Sequence, residues 1–144
     1  IITDVRMVEA GIRKKWLNGN GNNIFCAIDL PEVAEEAENK KKTRSAVALN
    51  ILKDEIKDSI VLIGNAPTAL HELLFLVRKY EIKPALIVGV PVGFVGAADA
   101  KKELKKQREI PYITLPGTRG GSNIASSILN ALINIYKIRK GLAD

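Results

Sequence analysis

Short apolar runs that alternate with amphipathic helical segments constrain this sequence most strongly. The runs Ser59–Ile63, Ala85–Val90 and Pro111–Leu115 are mostly apolar, which is typical of strands covered on both faces. Between the first two runs, apolar residues recur at helical spacing from Leu70 to Val77. Strands that alternate with helices usually lie parallel and are joined by right-handed crossovers. The pattern therefore predicts the α/β class, folded as a three-layer α/β/α sandwich with a mainly parallel sheet.

Capping residues and charge order predict the remaining elements. Pro31 begins a segment with glutamates early and lysines late, an order that complements the helix dipole. Thr43 and Asn65 are typical N-cap residues. We expect Asn65 to cap a helix with Pro67 in its first turn, and the last helix to bury Ile124, Ile128, Leu132 and Ile135. The other predicted elements are a strand at Asn23–Ile28 and helices at Pro31–Lys42, Thr43–Lys57, Ala97–Arg108 and Gly121–Ile138.

Composition is that of an ordinary globular domain. The 144 residues suit one domain, and 47% hydrophobic with 26% charged residues argues against disorder. No run of about 18 apolar residues exists, so we expect no membrane span. A single cysteine, Cys26, and a single histidine, His71, predict no internal disulfide and no protein-bound metal. We interpret Cys26 as a core thiol within a strand and His71 as structural or exposed.

The charge balance indicates an anionic partner. Lysine and arginine total 22 against 16 acidic residues, a net charge of +6. Such a chain can bind nucleic acid, an anionic membrane or an acidic small molecule. Aromatic residues make up only 5%, which disfavours base stacking and hence nucleic acid. For the basic helix we favour a solvated face over contact with phosphates; its cations are Lys101, Lys102, Lys105, Lys106 and Arg108.

Three glycine-rich loops follow the predicted strands, at Gly64–Pro67, Pro91–Gly96 and Pro116–Ser122. Parallel sheets bind ligands at the carboxyl ends of their strands, where these loops are expected to converge. In the third loop, glycines allow close approach and Arg119 offers a fork that fits carboxylate or phosphate. The alternative is a tight turn that simply requires glycine. The spacing of this loop is not that of a Walker A loop, and the spacing of Gly89–Gly96 is not that of a dinucleotide fingerprint.

Two further segments have open interpretations. The second loop, with Phe94, is either an apolar wall for a flat ligand or a rigid turn. Arg44 lies in the first turn of a predicted helix, where a cation opposes the dipole unless an anion is bound. We favour the simpler alternative, in which Arg44 faces solvent or pairs with Glu38.

Several strings resemble the precorrin-8X methylmutase family of cobalamin biosynthesis. They are Thr3–Val8 with Ala10–Ile12, Thr43–Ala46, Gly64–Leu70, Gly89–Ala98 and Gly117–Ser122. The resemblance implies a flavodoxin-like fold and a cytoplasmic homodimer, with its active sites at the subunit interface. It implies an isomerase that moves a methyl group from C11 to C12 of precorrin-8, or of cobalt-precorrin-8, without a cofactor. The product of the cobalt-free reaction is hydrogenobyrinic acid.

The resemblance also implies which residues bind the substrate. Arginines, hydroxyls, amides and loop backbone would hold the ring and its carboxylates. The residues are Thr43, Arg44, Ser45, Asn65, Thr68, Pro91, Gly93, Phe94, Val95, Arg119, Gly120, Gly121 and Ser122. The Phe94 loop and the last helix are candidates for the dimer surface.

The family's catalytic histidine belongs to a segment upstream of the Thr3–Val8 motif. We therefore expect residues 1–144 to be one methylmutase-like domain that is shortened at its amino end, with no catalytic residue of its own. Two alternatives are a corrin-binding or carrier protein without isomerase activity, and a basic α/β domain that binds nucleic acid. The low aromatic content speaks against the latter.

Overall fold

The computed structural model describes residues 1–142, which fold into an α/β/α sandwich. The strands are β1 (Ile2–Thr3), β2 (Ile60–Ile63), β3 (Leu86–Gly89) and β4 (Tyr112–Thr114). The helices are α1 (Arg6–Ala10), α2 (Lys14–Gly19), α3 (Pro31–Lys40), α4 (Arg44–Ile51), α5 (Pro67–Tyr80), α6 (Ala97–Lys106) and α7 (Ser122–Lys140).

The four strands form one parallel sheet in the order β1-β2-β3-β4. On the outer side of β1, Phe25 forms a parallel bridge to Ile2. The segment at Phe25 therefore lies in the position of a second strand, and the order becomes the 2-1-3-4-5 arrangement of flavodoxin-like folds. The order reverses between β1 and β2, which places the switch point at the ends of these two strands.

Helices cover both faces of the sheet. Val61 and Ile63 point to one face, where they pack under α4, α5 and α6. Leu62 points to the other face and packs with Val8 of α1 and Leu129 of α7. Alternate residues of one short strand thus belong to two separate cores, which explains why the strands are apolar throughout. The predicted three-layer, mainly parallel architecture is confirmed.

The predicted strand at Asn23–Ile28 is reduced to the single bridge at Phe25. Phe25 exchanges hydrogen bonds with β1: its N–H donates to Ile1 O at 2.8 Å, and Thr3 N–H donates to Phe25 O at 2.9 Å. Ile2 is the only residue of β1 that forms a bridge to this segment within residues 1–142. Cys26 is half-buried and lies outside any strand, so its interpretation as a core thiol within a strand is wrong.

Two predicted helices differ from the observed ones. The helix predicted to reach Lys57 ends at Ile51 and is followed by a 3₁₀ turn at Lys53–Glu55. The tighter turn brings Ile56 into the core just before β2 begins. In α7 the buried stripe is displaced by one position from the predicted one. Ala125, Leu129 and Ile133 are buried, Ile124, Ile128 and Leu132 are half-buried, and Ile135 is exposed.

The close approach of α7 to Gly64 explains this choice of face. A Cβ at Gly64 would lie 2.8 Å from Ser122 Cα and 3.0 Å from Ala125 Cβ. The helix therefore turns its smallest side chain toward the end of β2, which a larger apolar residue would push away.

Among residues 1–142, no helix is both long and apolar enough to cross a lipid bilayer.

Replacing Gly64 by alanine tests this packing. We expect G64A to lower the free energy of unfolding by about 1–3 kcal/mol, because the added methyl overpacks the contact between β2 and α7. Urea denaturation monitored by circular dichroism measures the change. The control is G19A in α2, where a Cβ meets no atom within 4 Å. That variant should be neutral or slightly more stable, and equal stability of G64A and wild type would contradict the packing account.

Candidate functional site

The carboxylate of Asp4 organises the switch point. Asp4 follows β1 directly and is fully buried. Its Oδ1 accepts the N–H of Gly64 at 3.1 Å, and its Oδ2 accepts those of Asn65 and Ala66, each at 2.9 Å. Burial raises the pKa of the Asp4 carboxyl, while the three backbone hydrogen bonds act in the opposite direction. An acidic group from β1 therefore satisfies the free N–H groups in front of α5.

This arrangement corrects the prediction for Asn65. The N-cap position of α5 is Ala66, and no side chain on the helix itself caps it. The side chain of Asn65 has no capping role, and the residue is exposed beside the loops. Pro67 lies in the first turn as predicted. Because Asp4 supplies the cap, the side-chain amide of Asn65 is free to contact a ligand.

The three glycine-rich loops converge as predicted. Gly93 N–H donates to Thr118 O at 3.1 Å, and Gly121 N–H donates to Val90 O at 3.0 Å. Gly120 lies so close to the second loop that a Cβ there would approach Val90 O to 2.1 Å. The first loop joins the others through the contact of Gly64 with α7 described above. We call these segments, 64–67, 91–96 and 116–122, the loop cluster.

Lys101 anchors the third loop from beneath. The prediction of a solvated basic helix is wrong at this position, since Lys101 is 1% exposed whereas its neighbour Lys102 is exposed. The Lys101 ammonium donates to Gly117 O at 2.9 Å and also to Arg119 O. Burial lowers the pKa of this ammonium. Sequence spacing carried a signal for it, because Lys101 shares a helix face with the buried Ala97 and Leu104.

Thr43 and Thr68 meet beside the loop cluster. Their Oγ1 atoms are 2.6 Å apart, which ties the start of α4 to the start of α5. Thr43 also caps α4, as predicted, by accepting the N–H of Ala46 at 3.3 Å. Both threonines line a cavity of about 460 Å³. Ser45, one of the predicted site residues, is buried within α4 and offers little surface to this cavity.

His71 lies in the wall of the same cavity and is held by an acidic partner. Its Nδ1 is 2.6 Å from Glu103 Oε2, and Arg78 donates to Glu103 Oε1 at 2.8 Å. Burial acts to raise the pKa of Glu103, but hydrogen bonds from Arg78 and His71 outweigh it and hold the pKa below its ordinary value. His71 is thus half-exposed, as predicted, and bridges α5 to α6. The sequence does not reveal this pairing, because Glu103 lies 32 residues further along the chain.

Exposed apolar side chains project from the second loop. Phe94 is 95% exposed and Val95 is 91% exposed, although both follow the buried Pro91. The left-handed glycines Gly93 and Gly96 frame them, with φ of 139° and 85°. These side chains form an open apolar surface rather than the wall of a closed cavity.

Two arginines among the predicted site residues have no acidic partner. Arg44 and Arg119 are exposed, and no carboxylate within residues 1–142 forms an ion pair with either. The suggested pairing of Arg44 with Glu38 is therefore wrong, and Arg44 faces solvent. Among residues 1–142, no three His, Cys, Asp or Glu side chains are grouped as metal ligands would be. The unpaired arginines and the exposed apolar side chains together favour a ligand that carries anionic groups on an apolar framework.

A second group of cavities lies at the opposite end of the sheet. The largest has a volume of about 650 Å³ and is lined by Trp16, Leu129 and Tyr136, among others. Its walls combine aromatic and aliphatic side chains with few cations. We place the candidate site at the loop cluster instead, because the unpaired Arg119, the exposed Phe94 and the topological switch point coincide there.

Fold and site together define a flavodoxin-like α/β protein with a cationic, glycine-lined loop cluster at its switch point. The family model for precorrin-8X methylmutase matches residues 1–135. The chain belongs to the precorrin-8X methylmutase family.

Individual relatives agree with this assignment. A cobalt-precorrin-8 methylmutase of Methanocaldococcus jannaschii is 44% identical over 140 residues, which cover 97% of this chain and 63% of the relative. A precorrin-8X methylmutase of Pseudomonas aeruginosa is 45% identical over 136 residues, which cover 92% of this chain and 64% of that protein. The chain therefore spans less than two thirds of the length of these curated relatives.

Solved structures show the same fold. The precorrin-8X methylmutase of Thermus thermophilus matches with a TM-score of 0.84 and 33% identity, covering 99% of this chain and 68% of that one. A precorrin-8X methylmutase related protein matches with a TM-score of 0.81 and 38% identity, covering 93% and 70%. The family resemblance and the flavodoxin-like fold predicted from the sequence are both confirmed.

Replacing Asp4 by asparagine tests the cap of α5. D4N places an amide donor against backbone donors, so we expect the free energy of unfolding to fall by about 1–3 kcal/mol. The matched control is D29N, because Asp29 is exposed and forms only a surface ion pair with Arg6. That change should cost less than about 1 kcal/mol. Equal effects of the two variants in urea denaturation would show that the buried contact does not organise the switch point.

Proposed function

We propose that this chain forms the corrin-binding part of a precorrin-8X methylmutase. The reaction moves a methyl group from C11 to C12 of precorrin-8, or of its cobalt-containing form, and is therefore an isomerisation. Family membership supports the reaction class, and the names of the relatives support both ring types. The residues described here are assigned to binding and orienting the ring rather than to proton transfer.

The observation that carries the proposal is the juxtaposition of an unpaired cation with exposed apolar side chains. Thr118 O accepts a hydrogen bond from Gly93 N–H, so Arg119 and Phe94 each lie one residue from the same contact. A corrin ring has the matching character, with a broad apolar face and acetate and propionate carboxylates at its edge. Phe94 and Val95 would contact the face, while Arg119 would receive a carboxylate in bidentate geometry.

The remaining predicted residues extend this binding surface. Arg44 would attract a second carboxylate. Because Thr43 and Thr68 share one hydrogen bond, one of the two hydroxyls would donate its proton to the ligand from the cavity they share. Asn65 would donate from the loop in front of α5. The backbone of Pro91 and Gly93, and that of Gly120, Gly121 and Ser122, would allow the ring to approach closely. Ser45 would support Thr43 and Arg44 from within α4, since it is buried.

A homodimer and a cytoplasmic location belong to the same proposal. The open surface at Phe94 and Val95 supports the dimer, because a second copy could cover one side of a ring bound there. A carrier that binds corrins without isomerising them would use the same residues. Turnover of precorrin-8 to hydrogenobyrinic acid by the full-length protein distinguishes the two, since residues 1–144 are assigned to binding and a carrier would bind the product and form none.

Replacing Arg119 by alanine tests the binding site. Titration of hydrogenobyrinic acid, followed by its visible absorption, should show an affinity for R119A that is lower by about tenfold or more, because a charge-assisted bidentate contact is lost. The control is R139A, which removes an equal charge near the far end of α7, about 26 Å along the helix. Loss of affinity in R139A to the same extent would indicate general charge attraction and contradict a specific site at Arg119.

A further inference from the structure

The third loop directs three successive peptide carbonyls inward. Gly117 O and Arg119 O accept hydrogen bonds from the Lys101 ammonium, and Thr118 O accepts one from Gly93 N–H. All peptide bonds of the described residues are trans. In a planar trans peptide the N–H points opposite to the C=O. The N–H groups of Thr118, Arg119 and Gly120 therefore point away from these inward contacts.

Two of these N–H groups are free to receive a ligand. Within residues 1–142 neither Thr118 N–H nor Gly120 N–H donates a hydrogen bond, whereas Arg119 N–H closes the turn at Gly117–Thr118. Thr118 and Arg119 are exposed, so the side of the loop opposite Lys101 faces solvent. Backbone N–H groups that point to the same side of a turn form an anion-binding concavity. The loop thus offers backbone donors to an anion in addition to the Arg119 side chain.

Lys101 is an unusual group to find at this place. It is 1% exposed, and no carboxylate of the described residues pairs with it. A buried ammonium without a counter-ion is costly, and an apolar side chain of similar volume would often be more stable. Its two hydrogen bonds are both to the third loop. Packing alone therefore does not explain why a lysine, rather than an apolar residue, occupies position 101.

We propose that Lys101 is a positioning residue, which turns the peptides after Gly117 and Arg119 so that their N–H groups bind a carboxylate of the substrate. This inference rests on the proposed corrin-binding function. Without the ammonium, the two carbonyls would be free to rotate toward water on this exposed loop. The N–H groups of Thr118 and Gly120 would then turn inward and be lost to the ligand. The positive charge of Lys101 also favours an anion on the outer side of the loop.

The test compares two ligands and three proteins. The ligands are hydrogenobyrinic acid and the same ring with part of its carboxylates converted to neutral amides. The proteins are the wild type, K101M and the control K102M, in which an exposed lysine of the same helix is replaced. We expect K101M to bind the acid about tenfold or more weaker and the amidated ring nearly as well as wild type does. K102M should bind both ligands as the wild type does.

The outcomes separate the inference from the function on which it rests. If the wild type binds neither ligand, the proposed function is wrong. If the wild type binds the acid and K101M weakens both ligands equally, Lys101 has only a structural role and the inference is overturned. Equal binding by K101M and wild type would overturn it as well.

A measurement on the wild type covers the case in which K101M does not fold. In ¹⁵N-resolved NMR spectra, the amide protons of Thr118 and Gly120 should move downfield when hydrogenobyrinic acid is added, as expected for new hydrogen bonds to a carboxylate. The amide of Gly141, which donates to Ile138 O at the far end of α7, serves as the internal reference. Unchanged shifts at Thr118 and Gly120, with the ligand bound, would overturn the proposal.

Discussion

The site depends on the hydrogen bonds that the buried Asp4 carboxylate accepts from three successive N–H groups at the start of α5. These bonds join the end of β1 to the loop after β2, at the point where the strand order reverses. They also fix the position of Gly64, whose missing side chain allows α7 to begin against β2. Because α7 begins there, the third loop must return across the second loop to reach it. Asp4 thus fixes the first loop, against which the start of α7 and the third loop are placed.

The third loop combines bound carbonyl groups with an exposed cation. The carbonyls of Gly117 and Thr118 accept hydrogen bonds from Lys101 and from Gly93 N–H, whereas the Arg119 guanidinium faces solvent. The same surface carries Phe94 and Val95, which have no partner within the domain core. A ligand that is apolar across its face and anionic at its edge complements both features. This combination of an unpaired cation with exposed apolar side chains supports the proposed binding of a corrin ring.

The architecture was largely predictable from the sequence, whereas the contacts that position the site were not. Apolar runs such as Ala85–Val90 predict strands because both faces of the sheet are buried. The glycine-rich loops follow those strands, so their convergence follows from parallel topology. Asp4 was missed because its partners lie 60 or more residues away and β1 has only two residues. Lys101 was misjudged because its basic neighbours suggested solvent, although its helical spacing with Leu104 pointed to the core.

Mapping a bound corrin onto the protein tests the central claim most directly. Hydrogenobyrinic acid would be titrated into ¹⁵N-labelled protein while the backbone amide shifts are followed. The account predicts that the largest changes fall in residues 64–68, 91–96 and 117–122, and that amides around the cavity of Trp16 and Tyr136 stay in place. Changes centred on that opposite cavity, with the loop cluster unaffected, would contradict it.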